Sequence, residues 1–350
     1  MGIGTAGTVG FGKEARCTPL DAIRPGTAYV CHALHSQTAV WVEKNCYIDV
    51  WIEVLHALGL EPRAMLGFTL AIDFDSDQWT FFKPPHGELF DLFGFDVQEL
   101  NVWRPLLAHA LDHLARGSLL STEADAFWLP DTGGTDYRRN HTKTTIVLLR
   151  VDAQREQATY FHNAGCFTLD GDDFRGLFGR GERRDTTELP LFAEAIRTAR
   201  LVRRSESDLV TQSKRLFARH FARRPVDNPV RRFAEHWKSE RVSQADKGLD
   251  HYHAWAFATL RQLGAAFELA AHGLRYLADR GEPYFEQPIA DFERIAVGAK
   301  TLVLKGARSV SSGRPLSADS LLDDMASAWD RAMEHLGDRR ALLFDSPDSR

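Results

Sequence analysis

The sequence predicts an α+β fold followed by a helical region, and three observations lead to this prediction. A strongly apolar helical pattern around residue 50 precedes the first β-like runs, and two further β-like runs lie side by side between residues 141 and 161. From about residue 188 the patterns become helical, with few β-branched runs. We place the domain boundary at the small and charged residues 179–181, which divides the chain into domains 1–180 and 181–350.

The first predicted helix covers residues 45–58 and is apolar around most of its circumference. Asp49, Glu53 and His56 form one narrow polar stripe on it, at spacings of four and three. A helix with so little polar surface is expected to be central, and Gly59 is a typical stop signal. The rest of the first domain is predicted as a hairpin over 66–74 and 78–83, a helix over 102–116, an extended run over 118–129 and strands over 141–151 and 158–161.

The second domain is predicted to be entirely helical. The helical patterns cover roughly residues 188–201, 206–222, 228–241, 252–279, 289–304 and 317–336. Within this region the segment 197–241 contains 13 basic and 5 acidic residues, a local net charge of +8 in a chain whose total is −5. Two interpretations stay open: a solvated helical surface, or a docking face for an acidic partner.

Composition excludes several classes of protein. The 48 acidic residues outnumber the 43 basic ones, so general nucleic-acid binding is not expected. The sequence has neither a secretory leader pattern nor an apolar run long enough for a membrane helix, so we expect a cytoplasmic protein. The four cysteines include no Cys-x-x-Cys pair, which makes zinc and thioredoxin-like functions weak interpretations.

Cys46 is the cysteine whose position in the sequence best suits a catalytic nucleophile. It follows Asn45, a good helix N-cap, and so lies at the positive end of the helix dipole, where a thiolate is stabilised. The alternative is that the cysteine near the helix start is buried and has only a packing role. A cysteine nucleophile needs a base and a third group that orients the base, and His141 and Asn163 follow in that order, near the ends of two successive predicted strands.

A resemblance adds to this interpretation. The phrases NCYIDVWIEVLHALGLEP, GFTLAIDF, LARGSLLSTEADAFWLP, HTKTTIVLL and TYFHNAG resemble, in order and spacing, the N-terminal domain of butirosin biosynthesis protein H and its relatives, which are papain-like cysteine acyltransferases. Parts of the same phrases also resemble a bacterial family associated with amino acid to carrier protein ligases. The resemblance covers roughly residues 30–180.

The resemblance implies a papain-like first domain in which a central helix carries Cys46 against an antiparallel sheet. It implies transfer of an acyl or aminoacyl group from the 4'-phosphopantetheine thioester of a carrier protein to an amine acceptor, through an acyl-Cys46 intermediate, with His141 and Asn163 completing the triad. It implies no bound cofactor. Because carrier proteins are acidic, we expect the basic segment to dock one, through residues that include Arg203, Arg204, Arg215 and Arg219.

Two positions depart from the family pattern. The residue six before Cys46 is Val40, whereas papain-like enzymes usually place an oxyanion-hole Gln several residues before the cysteine. The oxyanion would then rest on Gln37 or on backbone N–H groups from Asn45 onward. Asn163 stands where the family usually has Asp.

Two further residues complete the predicted set, and a nearby cluster is weighed as a metal site. Asp125 matches a strand Asp of the family and is expected either to position the acceptor amine or to cap a turn, and His162 adjoins Asn163. Cys31, His32 and His35 cluster, but without a second paired ligand set we predict no metal site.

Two alternatives to the acyltransferase stay open. In a cysteine hydrolase of the same fold, such as a thioesterase, peptidase or amidase, water accepts the acyl group. A non-catalytic carrier-binding protein would keep the fold without the reaction.

Overall fold

The computed structural model describes residues 23–179, 192–281, 283–314 and 316–338. Most of the boundary predicted at 179–181 lies outside these ranges. The elements, in chain order, are α1 (Cys46–Ala57), β1 (Phe74–Asp75), β2 (Gln78–Trp79), α2 (His86–Phe93), β3 (Asp96–Glu99), α3 (Leu106–Ala115), β4 (Leu119–Asp125), β5 (Lys143–Asp152), β6 (Gln157–His162), β7 (Gly165–Asp170), α4 (Gly171–Leu177), β8 (Ala193–Arg197), α5 (Glu206–Ala222), α6 (Pro229–Ala258), α7 (Leu260–Ala278), α8 (Glu286–Ser312) and α9 (Asp319–Asp338).

The described residues confirm the α+β class, with an antiparallel sheet in the first half and helices in the second. The main sheet has the order β3-β8-β4-β5-β6-β7, and every neighbouring pair is antiparallel. Alternate residues of β5 face opposite sides. Val147 and Leu149 join the core that contains α1, whereas Ile146 and Leu148 join a second core with α3 and α4. The sheet therefore lies between α1 and the α3–α4 pair.

Helix α1 is central, as the sequence predicts. Asn45 caps it by accepting hydrogen bonds from the N–H groups of Tyr47 and Ile48 at 3.1 and 3.0 Å. Most of the helix is buried, including Asp49 and Glu53 of the polar stripe. Two of the three residues in the predicted polar stripe, Asp49 and Glu53, therefore face the protein interior. The third residue, His56, is partly exposed.

One predicted helix is wrong. Residues 193–197, inside the helix predicted over 188–201, form strand β8, which is inserted between β3 and β4. The segment alternates apolar and charged residues only briefly, and its partners are about 75 and 100 residues away, as in the pairs Ser121 with Glu194 and Val97 with Ile196. The sheet of the first half therefore extends beyond residue 180.

The hairpin predicted over 66–74 and 78–83 is largely replaced by a 3₁₀ helix, Pro62–Ala71, and the ladder is reduced to β1 and β2. The 3₁₀ helix packs between α5 and α7, and Gly67 makes this possible, because a Cβ there would lie 2.9 Å from the Phe217 nitrogen. The Ser213 hydroxyl donates to the Ala64 carbonyl at 2.9 Å in the same interface. Close packing against α5, which is distant in the sequence, therefore determines the conformation of residues 62–71.

The described second half is helical, as predicted, apart from β8. The helix predicted over 228–241 corresponds to the first part of α6, which bends at Gly248, whereas the helix predicted over 252–279 is divided between the end of α6 and α7. One buried hydrophobic cluster contains residues of α1, the 3₁₀ helix and α5 to α9, so the two halves share a core. None of the described helices combines the length and apolarity required to cross a membrane.

Candidate active site

Cys46 is the first residue of α1 and is only half buried. Its Sγ atom donates to the Thr145 hydroxyl of β5 across 3.6 Å. Both polar atoms of the Asn45 side chain form hydrogen bonds: its oxygen caps α1, and its Nδ2 donates to the Phe82 carbonyl at 3.0 Å. Asn45 thus positions the helix, and the backbone N–H of Cys46 has no hydrogen-bond acceptor among the described residues.

His141 lies apart from this thiol. Its Nδ1 is 2.6 Å from Asp125 Oδ2, its ring stacks on Phe127 at a centroid distance of 4.4 Å, and its side chain is 70% exposed. The hydrogen bond between Cys46 and His141 that the prediction required is not found among the described residues: the thiol donates to the Thr145 hydroxyl, and His141 Nδ1 contacts Asp125.

Asn163 does not orient His141, and this prediction is corrected. Asn163 lies in the tight turn between β6 and β7, with φ of 45°, a left-handed conformation that Asn tolerates. Asp125 holds the His141 ring instead, and its Oδ1 also caps the N–H of Phe127 at 3.0 Å. Of the two roles expected for Asp125, the capping role is observed, together with the contact to His141.

His162 lies on the opposite face of the sheet from Cys46. It belongs to the row of β6 that contains Tyr160, facing the α3–α4 side. Its Nδ1 is 2.5 Å from Asp131 Oδ2 and its Nε2 is 2.8 Å from the Thr144 hydroxyl, and all three groups are buried. His162 therefore anchors the loop that leads to His141 and does not reach the thiol.

The remaining predicted residues are scattered. Gln37 is exposed in a turn and makes no hydrogen bond to a described residue. Arg203 donates to the Leu58 carbonyl at 2.6 Å, at the end of α1, and Arg204 donates to the Leu92 carbonyl at 3.0 Å, at the end of α2.

Cations are favourable at helix C-termini, so Arg203 and Arg204 hold the two halves together. They are correspondingly less available to a partner. Arg215 is exposed, and Arg219 lies 3.5 Å from Glu88 Oε1.

A group beside Cys46 was not predicted from the sequence. Tyr47 donates its hydroxyl to buried Glu194 at 2.8 Å, and His86 Nε2 lies 2.7 Å from the same hydroxyl and 3.2 Å from Glu194 Oε1. Burial and Glu194 raise the pKa of Tyr47. His86 also lines a surface pocket of about 410 Å³ between α2 and β3. Glu194 could not be found because its segment was assigned to a helix.

A second unpredicted group lies under α1. His35 is fully buried between Asp49, 3.0 Å from its Nε2, and Glu53, which contacts its Nδ1. Burial alone would lower the pKa of His35, but its hydrogen bonds to these two carboxylates raise the pKa to about 9. Glu53 also accepts from the Tyr29 hydroxyl at 2.5 Å and from the His32 N–H at 3.0 Å.

The cluster of Cys31, His32 and His35 does not act as a ligand set, because His35 is engaged on both ring nitrogens. Burial lowers the pKa of His32 to about 4 and raises the pKa of Cys31. Within the described ranges no group of three His, Cys, Asp or Glu side chains is arranged to hold a metal ion.

Comparison with protein families gives two matches. Residues 30–198 match the DUF1839 N-terminal domain and residues 206–338 match the DUF1839 C-terminal domain. The chain belongs to the DUF1839 family. The two DUF1839 domains divide between residues 198 and 206, after β8, which agrees with the position of β8 inside the first domain's sheet. Curated proteins include no match to this DUF1839 chain.

Proposed function

We propose that this DUF1839 protein is a cysteine-dependent acyltransferase that carries an acyl or aminoacyl group on Cys46. The observation that carries the proposal is the position of a half-exposed thiol at the first residue of a capped, buried helix that packs against β5 and β6. This arrangement supports a papain-like interpretation, in which a central helix presents the thiol to an antiparallel sheet.

The proposed reaction has two steps. In the first, the Cys46 sulfur attacks the carbonyl carbon of a thioester on the 4'-phosphopantetheine arm of a carrier protein. The carbon–sulfur bond to the arm breaks, and the arm leaves as a thiol that takes up the proton lost by Cys46. In the second, an amine attacks the acyl-Cys46 carbonyl, an amide forms, and the proton released by the amine restores the Cys46 thiol.

Two histidines are candidates for moving these protons. His141 is oriented by Asp125, as a catalytic base requires, but a bound substrate group or water has to bridge its distance from Cys46. His86 is held by Tyr47, the residue next to Cys46. We favour His141, because it lies four residues before Thr145, the hydrogen-bond partner of the thiol, and because Asp125 orients its ring.

The backbone N–H of Cys46, which has no acceptor among the described residues, supports a role in binding the oxyanion. It adjoins the sulfur, and the next two N–H groups of the helix are already bound by Asn45. Gln37 is too exposed to be favoured for this role. We propose the cytoplasm as the site of action, a reducing compartment in which free thiols such as Cys31 and Cys166 persist.

The proposed partner is an acidic carrier protein, and α5 is the proposed docking element. Arg215 and Arg219 lie one helical turn apart on its exposed face, and Arg223 follows one turn later. A row of cations attracts an acidic surface and accelerates association.

Intact mass spectrometry tests the proposal. After incubation with an aminoacyl carrier protein we expect one acyl adduct per chain, lost in Cys46→Ala and retained in the matched Cys31→Ala variant. Comparison of His141→Asn with His86→Asn identifies the proton-transfer group as the one whose loss slows adduct formation more. Absence of an adduct with several competent carriers, or an adduct on Cys31, contradicts the proposal.

Further measurements separate the alternatives. An added amine increases turnover of a transferase and leaves a hydrolase unchanged. The separation of Cys46 from His141 is the observation that favours the non-catalytic carrier-binding protein. That protein would bind the loaded carrier without any mass change.

A further inference from the structure

The segment that leads into Cys46 is bound by the second half of the chain. The carboxylate of Glu268, on α7, accepts hydrogen bonds from two successive backbone N–H groups, that of Val40 at 2.8 Å and that of Trp41 at 3.1 Å. Glu268 is 5% exposed, so these bonds form away from water, where charged hydrogen bonds are strong. An acid more than 220 residues from Cys46 therefore fixes the backbone five residues before it.

Trp41 attaches the same segment to α7 and α8. Its indole Nε1 donates to the Ala296 carbonyl at 3.2 Å, and Lys300 lies over its ring at 4.6 Å. The ring lies against Gly264, where a Cβ would be 2.4 Å from the indole nitrogen. Only a residue without a side chain leaves room for the indole at this position.

Lys44 connects Glu268 to α1. Its side chain is fully buried, its ammonium group donates to the carbonyls of Leu34 and Trp41, and it lies 3.6 Å from Glu268 Oε2. The backbone N–H of Lys44 donates to Asp49 on α1 at 2.9 Å. Glu268, Lys44 and Asp49 thus form a continuous chain of polar contacts from α7 to the first turns of the helix that carries the thiol.

We infer that Glu268 is a positioning residue for Cys46, and that the helical C-terminal domain is part of the active unit because it holds residues 40–44 against the start of α1. This inference gives the second domain a role besides docking. It rests on the proposed function only in taking Cys46 as the reacting group.

The test measures the thiol and not acyl transfer, so that failure of the two proposals can be distinguished. Full-length protein is treated with iodoacetamide, and the alkylation rate of Cys46 is divided by that of Cys31, which is also half exposed. When residues 40–44 are held less firmly, the Cys46 sulfur is released from Thr145 and becomes more accessible. We therefore expect the ratio of the Cys46 to the Cys31 alkylation rate to rise at least threefold in Glu268→Ala and in Gly264→Ala. Glu268→Gln, which keeps an acceptor oxygen, should restore much of the original ratio.

Glu293→Gln is the matched control. Glu293 lies on α8, is 45% exposed and pairs with Arg275, so its loss should leave the ratio unchanged. The unfolding midpoint is measured for every variant, and the alkylation ratio is compared only under conditions in which each variant is folded. If the midpoint falls in Glu268→Ala while the ratio of Cys46 to Cys31 stays at the original value, Glu268 is merely structural and the inference is overturned. If Glu268→Ala does not fold, the same alkylation ratio measured in Gly264→Ala and Glu268→Gln tests the inference.

Discussion

The Nδ1 atom of His141 lies 2.6 Å from Oδ2 of Asp125, and this contact joins a residue two positions before β5 to the last residue of β4. The carboxylate favours the imidazole tautomer that carries its proton on Nδ1 and leaves Nε2 free to accept one. The stacking of the ring on Phe127 fixes its plane.

The first prediction follows from this contact. Asp125→Asn keeps the cap on the Phe127 N–H but loses the preference for that tautomer, so we expect acyl-Cys46 formation to slow by about a hundredfold or more. The rate is measured by quenched-flow mass spectrometry. Asp136→Asn, in the same loop, removes a carboxylate that accepts from Thr142 at 2.8 Å and should have little effect. Equal rates in the Asp125 and Asp136 variants would show that Asp125 has only a capping role.

The second prediction concerns pH and the buried His35. A histidine in the unfolded chain has a pKa of about 6.5, whereas the contacts with Asp49 and Glu53 raise the pKa of His35 in the folded chain to about 9. The stabilisation is therefore complete below about pH 6.5 and is lost as the pH rises through the folded value. We expect the free energy of unfolding to fall over this interval by a few kcal/mol.

Urea unfolding at a series of pH values measures this fall. His35→Gln should be less stable at pH 7 and should lack the decline, while His56→Gln, on the same helix, should retain it. A decline of the same size in the His35 variant would contradict the assignment.

The third prediction concerns the close approach of α2 to the segment after β8. Gly94 ends α2 with φ of 78°, and a Cβ there would lie 2.0 Å from the Arg200 carbonyl oxygen. Gly94→Ala should lower the free energy of unfolding by about 2 kcal/mol or more. Gly87→Ala, at an open position near the start of the same helix, should be neutral or stabilising by up to about 1 kcal/mol. Chemical denaturation of both variants measures the contrast, and similar values for the two would disprove the predicted clash.

The fourth prediction separates docking from structure within the basic segment. Arg203→Glu removes a cap from the end of α1, so we expect a lower free energy of unfolding. Arg215→Glu lies on the exposed face of α5 and should leave stability unchanged while slowing association with an acidic carrier at low salt. Stopped-flow binding at two ionic strengths measures the second effect. Unchanged association in Arg215→Glu would mean that the carrier does not dock on this face.

The sequence by itself determined the features that depend on neighbouring residues. Helical periodicity and the Asn45 cap were enough to predict α1, and apolar β-branched runs were enough to predict β5 and β6. The helical second half followed in the same way, because an amphipathic stripe repeats every turn. The change from α+β to helical patterns was visible for the same reason.

The tertiary structure decided the features that depend on distant partners. Strand β8 forms because its backbone pairs with β3 on one side and with β4 on the other. Asp125 reaches His141 because β4 ends where β5 begins. Asn163 was misassigned because the tight turn after β6 gave it a left-handed conformation beside the sheet's edge. The burial of Asp49 and Glu53 depends on His35, and the segment before Cys46 depends on Glu268, and no local pattern shows that these residues are partners. Backbone periodicity reports which face of an element is buried, whereas polar partners across a core are chosen by three-dimensional packing.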